Sequence, residues 1–134
     1  MITSEQAARL DERLRAEGGG WTPVPGDRFV IPGSDLTDVF VVADMTIEVH
    51  DLPTGRLIRF NGTTEWALDS ISADRVLWLP WEHQLRDLLG DRFSRLERLA
   101  PVEGGSSGYA VVLADGTRHV DVDADAAYLR ALLG

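Results

Sequence analysis

The sequence predicts an α+β protein, with a mainly antiparallel sheet of about five to six strands and N-terminal, central and C-terminal helices packed on it. Segments with a helical spacing of apolar residues lie near the start, the middle and the end of the chain. Segments rich in β-branched residues lie between them, and several are joined by short turns. The element order α-β-β-(α)-α-β-β-β-α therefore favours an antiparallel sheet.

The first predicted helix covers residues 3–17. Thr3 and Gln6 have the spacing of a capping box, in which two side chains satisfy free backbone N–H groups at the helix start. Three consecutive glycines at 18–20 predict where this helix ends. The apolar residues of its inner face are Ala7, Leu10 and Leu14.

Four strands are predicted in the first part of the chain: Phe29–Ile31, Val39–Val49, Arg56–Phe60 and Val76–Leu79. The second begins as a continuous apolar run and continues as an alternation of apolar and polar residues. A turn at 52–55 joins it to the third strand. Residues 63–72 are ambiguous between a short helix and a strand.

The second part of the chain predicts a helix over Trp81–Leu89, started by Pro80. A strand follows over 93–100. A hairpin comes next, in which an Asp-Gly turn joins two strands over 109–113 and 117–122. Asp123 or Asp125 caps a final helix, whose apolar residues are Tyr128, Leu129, Leu132 and Leu133.

Length and composition predict one soluble domain over residues 1–134, because 44% of the residues are hydrophobic and 26% are charged. No apolar run approaches the ~18 residues that a bilayer-spanning helix needs. The N-terminus lacks the basic and apolar regions of a secretory signal, so we expect a cytoplasmic location and no membrane partner.

Two residue types are missing. The chain has no cysteine, which excludes disulfides, thiol nucleophiles and Cys-ligated metal sites. All 13 basic residues are arginine, so there is no phosphate-loop or Schiff-base lysine. The net charge of −9 makes nucleic acid and anionic lipid poor partners and leaves a basic protein as the better one.

A G-x-S-x-G pattern at 104–108 resembles the nucleophile motif of serine hydrolases, and Asp115 and His119 follow in the expected order. That chemistry needs the serine on a strained turn between a strand and a helix. Here the motif follows Pro101 and leads into a strand. A flexible loop explains it, and no catalytic residue is assigned.

An acidic run that begins at Asp121 resembles the start of a calcium loop. Ala126 and Leu132 stand where such a loop needs glycine and glutamate, which excludes an EF-hand. His119, Asp121 and Asp123 share one face of a predicted strand and could hold a divalent metal. A solvated polar face with a helix cap explains the same spacing, so no metal and no cofactor are predicted.

Three tryptophans, Trp66, Trp78 and Trp81, fall close together around Pro80. Tryptophan is common in protein cores and is also enriched at binding hot spots. All three are interpreted first as core residues. Trp81, at the start of a helix, is the best candidate for an exposed anchor.

Four segments carry a resemblance to known proteins: residues 44–50, residues 60–70, Trp78-Leu79-Pro80 and Gln84-Leu85. Together they resemble a family of small actinobacterial proteins that are sometimes given a pilus-assembly label. The second half is also similar to small phage or prophage proteins with a Trp-Leu-Pro-x-x-x-Gln-Leu helix start. Neither resemblance implies a catalytic residue.

The preferred hypothesis is a non-catalytic protein-interaction module, such as an adaptor or an immunity-like protein, that presents an acidic surface to a partner protein. The carboxylates would pair with arginine or lysine of a basic partner, and Trp81 would be the apolar anchor. The candidate contact residues are Glu65, Trp81, Glu82, His83, Asp121 and Asp123.

Two alternatives remain open. One is a small enzyme that uses carboxylate and histidine groups, with or without a metal, for which Glu48, His50 and Glu65 are the candidates. The other is a small-molecule-binding domain with a pocket between sheet and helices. The sequence leaves the oligomeric state open, because the strand predicted over Val39–Val49 could pair at a sheet edge.

Overall fold

The computed structural model describes residues 1–33, 38–43, 47–53, 55–60, 70–72, 75–101, 105 and 107–134. Within these ranges helices and antiparallel sheets occur together, so the predicted α+β class is confirmed. No helix in the same ranges is long and apolar enough to cross a bilayer. The elements are α1 (Ser4–Ala16), β1 (Arg28–Val30), β2 (Phe40–Val41), β3 (Ile47–Leu52), β4 (Gly55–Phe60), β5 (Ser70–Ser72), β6 (Leu77–Trp78), α2 (Glu82–Leu89), β7 (Phe93–Leu99), β8 (Gly108–Leu113), β9 (Arg118–Asp121) and α3 (Ala124–Leu133), with a 3-10 turn at Gly90–Arg92.

The prediction of one sheet with five to six strands is wrong. The strands that the structure describes form three separate antiparallel sheets of three strands each, in the orders β2-β1-β6, β3-β4-β5 and β7-β8-β9. The strand predicted over Val39–Val49 contains the break. Its first part is β2, which pairs with β1, and its last part belongs to β3, which pairs with β4.

The chain divides into two compact units. Ala7–Leu79 forms one, called here the N-terminal unit. Pro80–Gly134, together with Met1–Gln6, forms the other, called here the C-terminal unit. The single domain over residues 1–134 stays a prediction.

The N-terminal unit has a core of apolar side chains from β1, β2 and the segments beside them. Phe29 is completely buried, and its ring lies 5.4 Å from that of Phe40 between centroids. Trp21 packs against this core and donates a hydrogen bond of 2.8 Å from Nε1 to the buried carboxylate of Asp27. The core residues are Phe29, Ile31, Phe40, Val42 and Val76.

In the C-terminal unit, α3 packs on β8 and β9 and also contacts α2. The predicted hairpin is formed by β8 and β9, with β8 buried along most of its length and β9 alternating between exposed and partly buried residues. Helical spacing predicts Leu85, Leu88 and Leu89 on the inner face of α2; Leu85 and Leu89 are buried, and Leu88 is half-buried. From α3 the buried residues are Ala126, Ala127, Tyr128, Leu129 and Ala131.

The signals predicted for both ends of α1 and for the start of α3 are confirmed. Thr3 N–H donates to Gln6 Oε1 at 2.9 Å, and Gln6 N–H donates to Thr3 Oγ1 at 3.1 Å. Gly18 ends α1 with a positive φ of 80°, a conformation that costs glycine little. Of the two predicted caps for α3, Asp123 is the one that accepts a hydrogen bond, from Ala126 N–H at 3.0 Å.

For the segment 63–72, which the sequence left between helix and strand, the structure describes only the last three residues. Ser70–Ser72 is strand β5, paired with β4, so no helix extends to Ser70. Residues 63–69, which include Glu65 and Trp66, lie outside the described residues. The same holds for Ser106 of the G-x-S-x-G pattern.

Candidate functional site

Trp81 lies immediately before α2, at its N-cap position. Its side chain is 38% exposed, so the first interpretation as a core residue is wrong. The backbone N–H of Trp81 donates to Gln84 Oε1 at 2.9 Å, while the Trp81 carbonyl accepts from Gln84 and Leu85 at 3.0 Å. The helix start is therefore fixed by backbone and glutamine groups, which leaves the indole partly open to solvent. His83, two residues on, is also exposed.

Glu82 connects α2 to α3. Its Oε1 accepts a hydrogen bond of 3.3 Å from the Tyr128 hydroxyl and one of 3.4 Å from Arg86 Nη2. Burial raises the pKa of Tyr128 above its usual value, so the hydroxyl keeps its proton and can donate. The Glu82 side chain nevertheless stays 43% exposed and can accept further hydrogen bonds.

Asp121, at the end of β9, is largely committed to contacts within the chain. One carboxylate oxygen accepts from Arg130 Nε of α3 at 2.7 Å, and the other accepts from Asp123 N–H at 3.2 Å. Partial burial raises the pKa of Asp121, but the hydrogen bonds from Arg130 and Asp123 outweigh it and leave the pKa below its usual value. The Asp121 side chain is only 17% exposed.

Asp123 has a structural role and an exposed carboxylate at once. One oxygen caps α3, and the other lies 3.8 Å from the amino group of Met1. The same amino group lies 3.1 Å from Asp125. Because 47% of the Asp123 side chain is exposed, a partner could still approach it.

Two of the predicted contact residues bond to side chains of α3, but they bond to different residues and do not form one cluster. Glu82 is tied to Tyr128 of this helix, and Asp121 is tied to Arg130. Within the described ranges, no group of three histidine or acidic side chains is arranged to hold a metal ion. The side chains of the enzyme candidates Glu48, His50 and Glu65 lie outside the described part of the chain.

Sequence reasoning missed two side chains that organise this region. Tyr128 was identified only as an apolar residue of the last helix, because its hydroxyl partner Glu82 lies far away in sequence. Arg130 was not identified at all. Its nine-residue separation from Asp121 corresponds to no helical or strand spacing, since it bridges a strand end and a helix.

The N-terminal unit contains a small cleft beside two stacked indoles. Trp21 and Trp78 lie 6.4 Å apart between centroids, with their rings within 2° of parallel. Nε1 of Trp78 is buried and has no hydrogen-bond acceptor among the described residues. The cleft encloses no volume that a water molecule could occupy, whereas small-molecule sites typically measure ~300–1,000 Å³. Its lining residues are Ala7, Leu10, Asp11, Leu14, Trp21 and Trp78.

Comparisons with protein-family models, with curated proteins and with solved structures found no match to this chain. The resemblance to actinobacterial and phage proteins therefore stays a prediction.

The Asp121–Arg130 ion pair predicts a specific acid dependence of stability. Because the pKa of Asp121 is lower in the folded than in the unfolded protein, its contribution is complete above the unfolded pKa of about 3.9 and is lost as the pH falls through the folded pKa. We expect Asp121→Asn to lower the free energy of unfolding by about 0.5–1 kcal/mol at pH 7 and by less near pH 3. Urea unfolding at a series of pH values measures this difference.

Asp87→Asn is the matched control for this experiment, because Asp87 is an exposed carboxylate of α2 in the same unit. It should leave the pH dependence close to that of the wild type. A constant difference between Asp121→Asn and the wild type from pH 7 to pH 3 would contradict the proposed pairing, since a protonated Asp121 can no longer form an ion pair.

Proposed function

We propose that this chain is a non-catalytic protein-interaction module, of the adaptor or immunity-like kind, that binds a basic partner protein through the start of α2. The observation that supports it is the 38% exposure of Trp81, directly beside the exposed carboxylate of Glu82. Tryptophan is enriched at the hot spots of protein interfaces, and a neighbouring carboxylate can pair with a basic group of the partner. The charge of −9 favours a partner rich in arginine or lysine.

In the proposed contact, Trp81 supplies apolar area, and Glu82 and His83 supply polar contacts beside it. Asp123 contributes a second exposed carboxylate on the same unit. Asp121 contributes indirectly, because its pairing with Arg130 joins the end of β9 to α3. A role for Glu65, whose surroundings are not described, stays a prediction.

Affinity capture from a native bacterial lysate tests the proposal, with wild type and Trp81→Asp compared by quantitative mass spectrometry. Aspartate is a favourable N-cap residue, so α2 should still form in the variant. We expect one partner to be enriched by the wild type and lost with Trp81→Asp. With that partner purified, the variant should raise Kd by about 30-fold, which corresponds to the ~2 kcal/mol of a hot-spot residue.

Val24→Asp is the matched control, since Val24 is an exposed apolar residue of the other unit, at 49%. It introduces the same charge and should leave binding unchanged. Added salt should weaken the wild-type complex if Glu82 and Asp123 face basic groups. A partner that binds wild type and Trp81→Asp equally well would exclude the start of α2 as the contact site.

A further inference from the structure

Strand β9 lies at the edge of the sheet β7-β8-β9 and is hydrogen-bonded to β8 on one side. No described strand pairs with its other side. Val120, within β9, is 49% exposed, and Val122, just after it, is 69% exposed. An edge strand with exposed valines offers both backbone groups and apolar area to another strand.

The hydrogen-bond pattern shows which backbone groups face the open edge. Leu113 N–H donates to the carbonyl oxygen of Thr117 at 2.9 Å, so these two residues form a hydrogen-bonded pair at the hairpin end. Bonded and non-bonded pairs alternate along an antiparallel ladder, so the next residues of β9 bonded to β8 are His119 and Asp121. The N–H and C=O of Val120 therefore point away from β8.

A close approach between the strands agrees with this assignment. A Cβ atom added to Gly108 of β8 would lie 3.0 Å from the carbonyl oxygen of Asp121. That carbonyl is therefore directed at β8. Successive carbonyls of a strand point in opposite directions, so the carbonyl of Val120 is directed at the open edge.

We propose that β9 pairs antiparallel with β9 of a second copy of this chain, about a twofold axis at Val120. In this register the outward-pointing backbone groups of the two Val120 residues face and bond each other. On each side of the twofold axis, Arg118 of one copy lies opposite Val122 of the other. The register is self-complementary, as an isologous contact requires.

Charge favours a second copy as the occupant. The chain as a whole carries −9, but Arg118 pairs with Glu97 and Asp121 pairs with Arg130. The charges of β9 are therefore balanced within each copy, and two copies can approach here without the repulsion of their acidic surfaces. Each His119 also lies opposite Asp121 of the other strand. The Asp121 carboxylate, already bonded to Arg130, has lone pairs left for a histidine N–H. This contact uses neither Trp81 nor Glu82, so it can be tested separately from the proposed function.

Sedimentation equilibrium over a wide range of protein concentrations tests the pairing. We expect a reversible monomer–dimer equilibrium in the wild type. Val120→Pro removes the central outward N–H, yet it removes no bond to β8, because the N–H of Val120 points away from that strand. Self-association should weaken about tenfold or more, while circular dichroism shows a folded chain.

Val120→Lys provides a second disrupting variant that does not depend on proline being tolerated, since Val120 is exposed and lysine protects strand edges. Val24→Lys is the matched control, because Val24 has the same 49% exposure outside any strand, and it should dimerise like the wild type.

Amide hydrogen exchange of Val120 should also slow as the protein concentration rises. A wild type that stays monomeric at all concentrations overturns the proposal, even if β9 binds a peptide of another protein. A dimer that survives both Val120 variants overturns it as well.

Discussion

Replacing Tyr128 with alanine is expected to lower the free energy of unfolding by about 3–5 kcal/mol. Tyr128 is completely buried, and its ring lies 5.7 Å from that of Phe93 between centroids. Removing the ring leaves a cavity between α3 and the sheet β7-β8-β9, which close-packed neighbours fill only in part. It also removes the hydroxyl that joins α3 to Glu82 of α2. Urea unfolding followed by circular dichroism measures the change.

Tyr128→Phe separates the two contributions, because it keeps the ring and removes only the hydroxyl. The hydrogen bond to Glu82 is long, at 3.3 Å, and Glu82 keeps its contact with Arg86. We therefore expect a cost of about 1 kcal/mol or less. If Tyr128→Ala were no more costly than Tyr128→Phe, the ring could not be packed as described.

The helices were predictable because their signals are local. Each signal lies within the helix that it specifies or directly beside it. The signals are a capping box, whose two residues are three positions apart, a glycine after the last turn, and leucines at helical spacing. α1, α2 and α3 accordingly begin and end within a few residues of the predicted positions. The same holds for the β8–β9 hairpin, since the Asp115-Gly116 turn fixes which strands pair.

The division into three sheets was not predictable from periodicity. A strand's alternation indicates which side chains share a face, but it does not indicate which strand becomes its neighbour. The change from a continuous apolar run to alternation, near Ala43, was present in the sequence. It marks the point where the chain leaves β2 and its sheet, before β3 begins in another.

The candidate site illustrates a second limit of sequence reasoning. Asp121 was expected to be an exposed acidic residue, but its carboxylate pairs with Arg130 of the following helix. Which carboxylates remain available to a partner is decided by tertiary contacts. Glu82 and Asp123, at 43% and 47% side-chain exposure, remain more accessible than Asp121 at 17%.

Replacing Phe29 with alanine is expected to cost a further ~3–5 kcal/mol of unfolding free energy, in the N-terminal unit. Phe29 is completely buried on β1, and its ring contacts those of Phe40 and Trp21. Val41→Ala is the matched control on the neighbouring strand, since Val41 is 44% exposed and such substitutions stay within about 0.5 kcal/mol. Tryptophan fluorescence and circular dichroism during urea unfolding measure both variants.

Phe29→Ala and Tyr128→Ala together test the predicted single domain. In one cooperative domain, either substitution shifts a single transition, and every spectroscopic probe reports the same midpoint. If the two units unfold separately, Phe29→Ala shifts only the transition that Trp21 and Trp78 report. The transition reported by Trp81 would then respond to Tyr128→Ala alone, and residues 1–134 would have to be described as two domains. Variants that keep only one of the four tryptophans make the reporters distinct, because Trp21 and Trp78 belong to one unit and Trp81 belongs to the other.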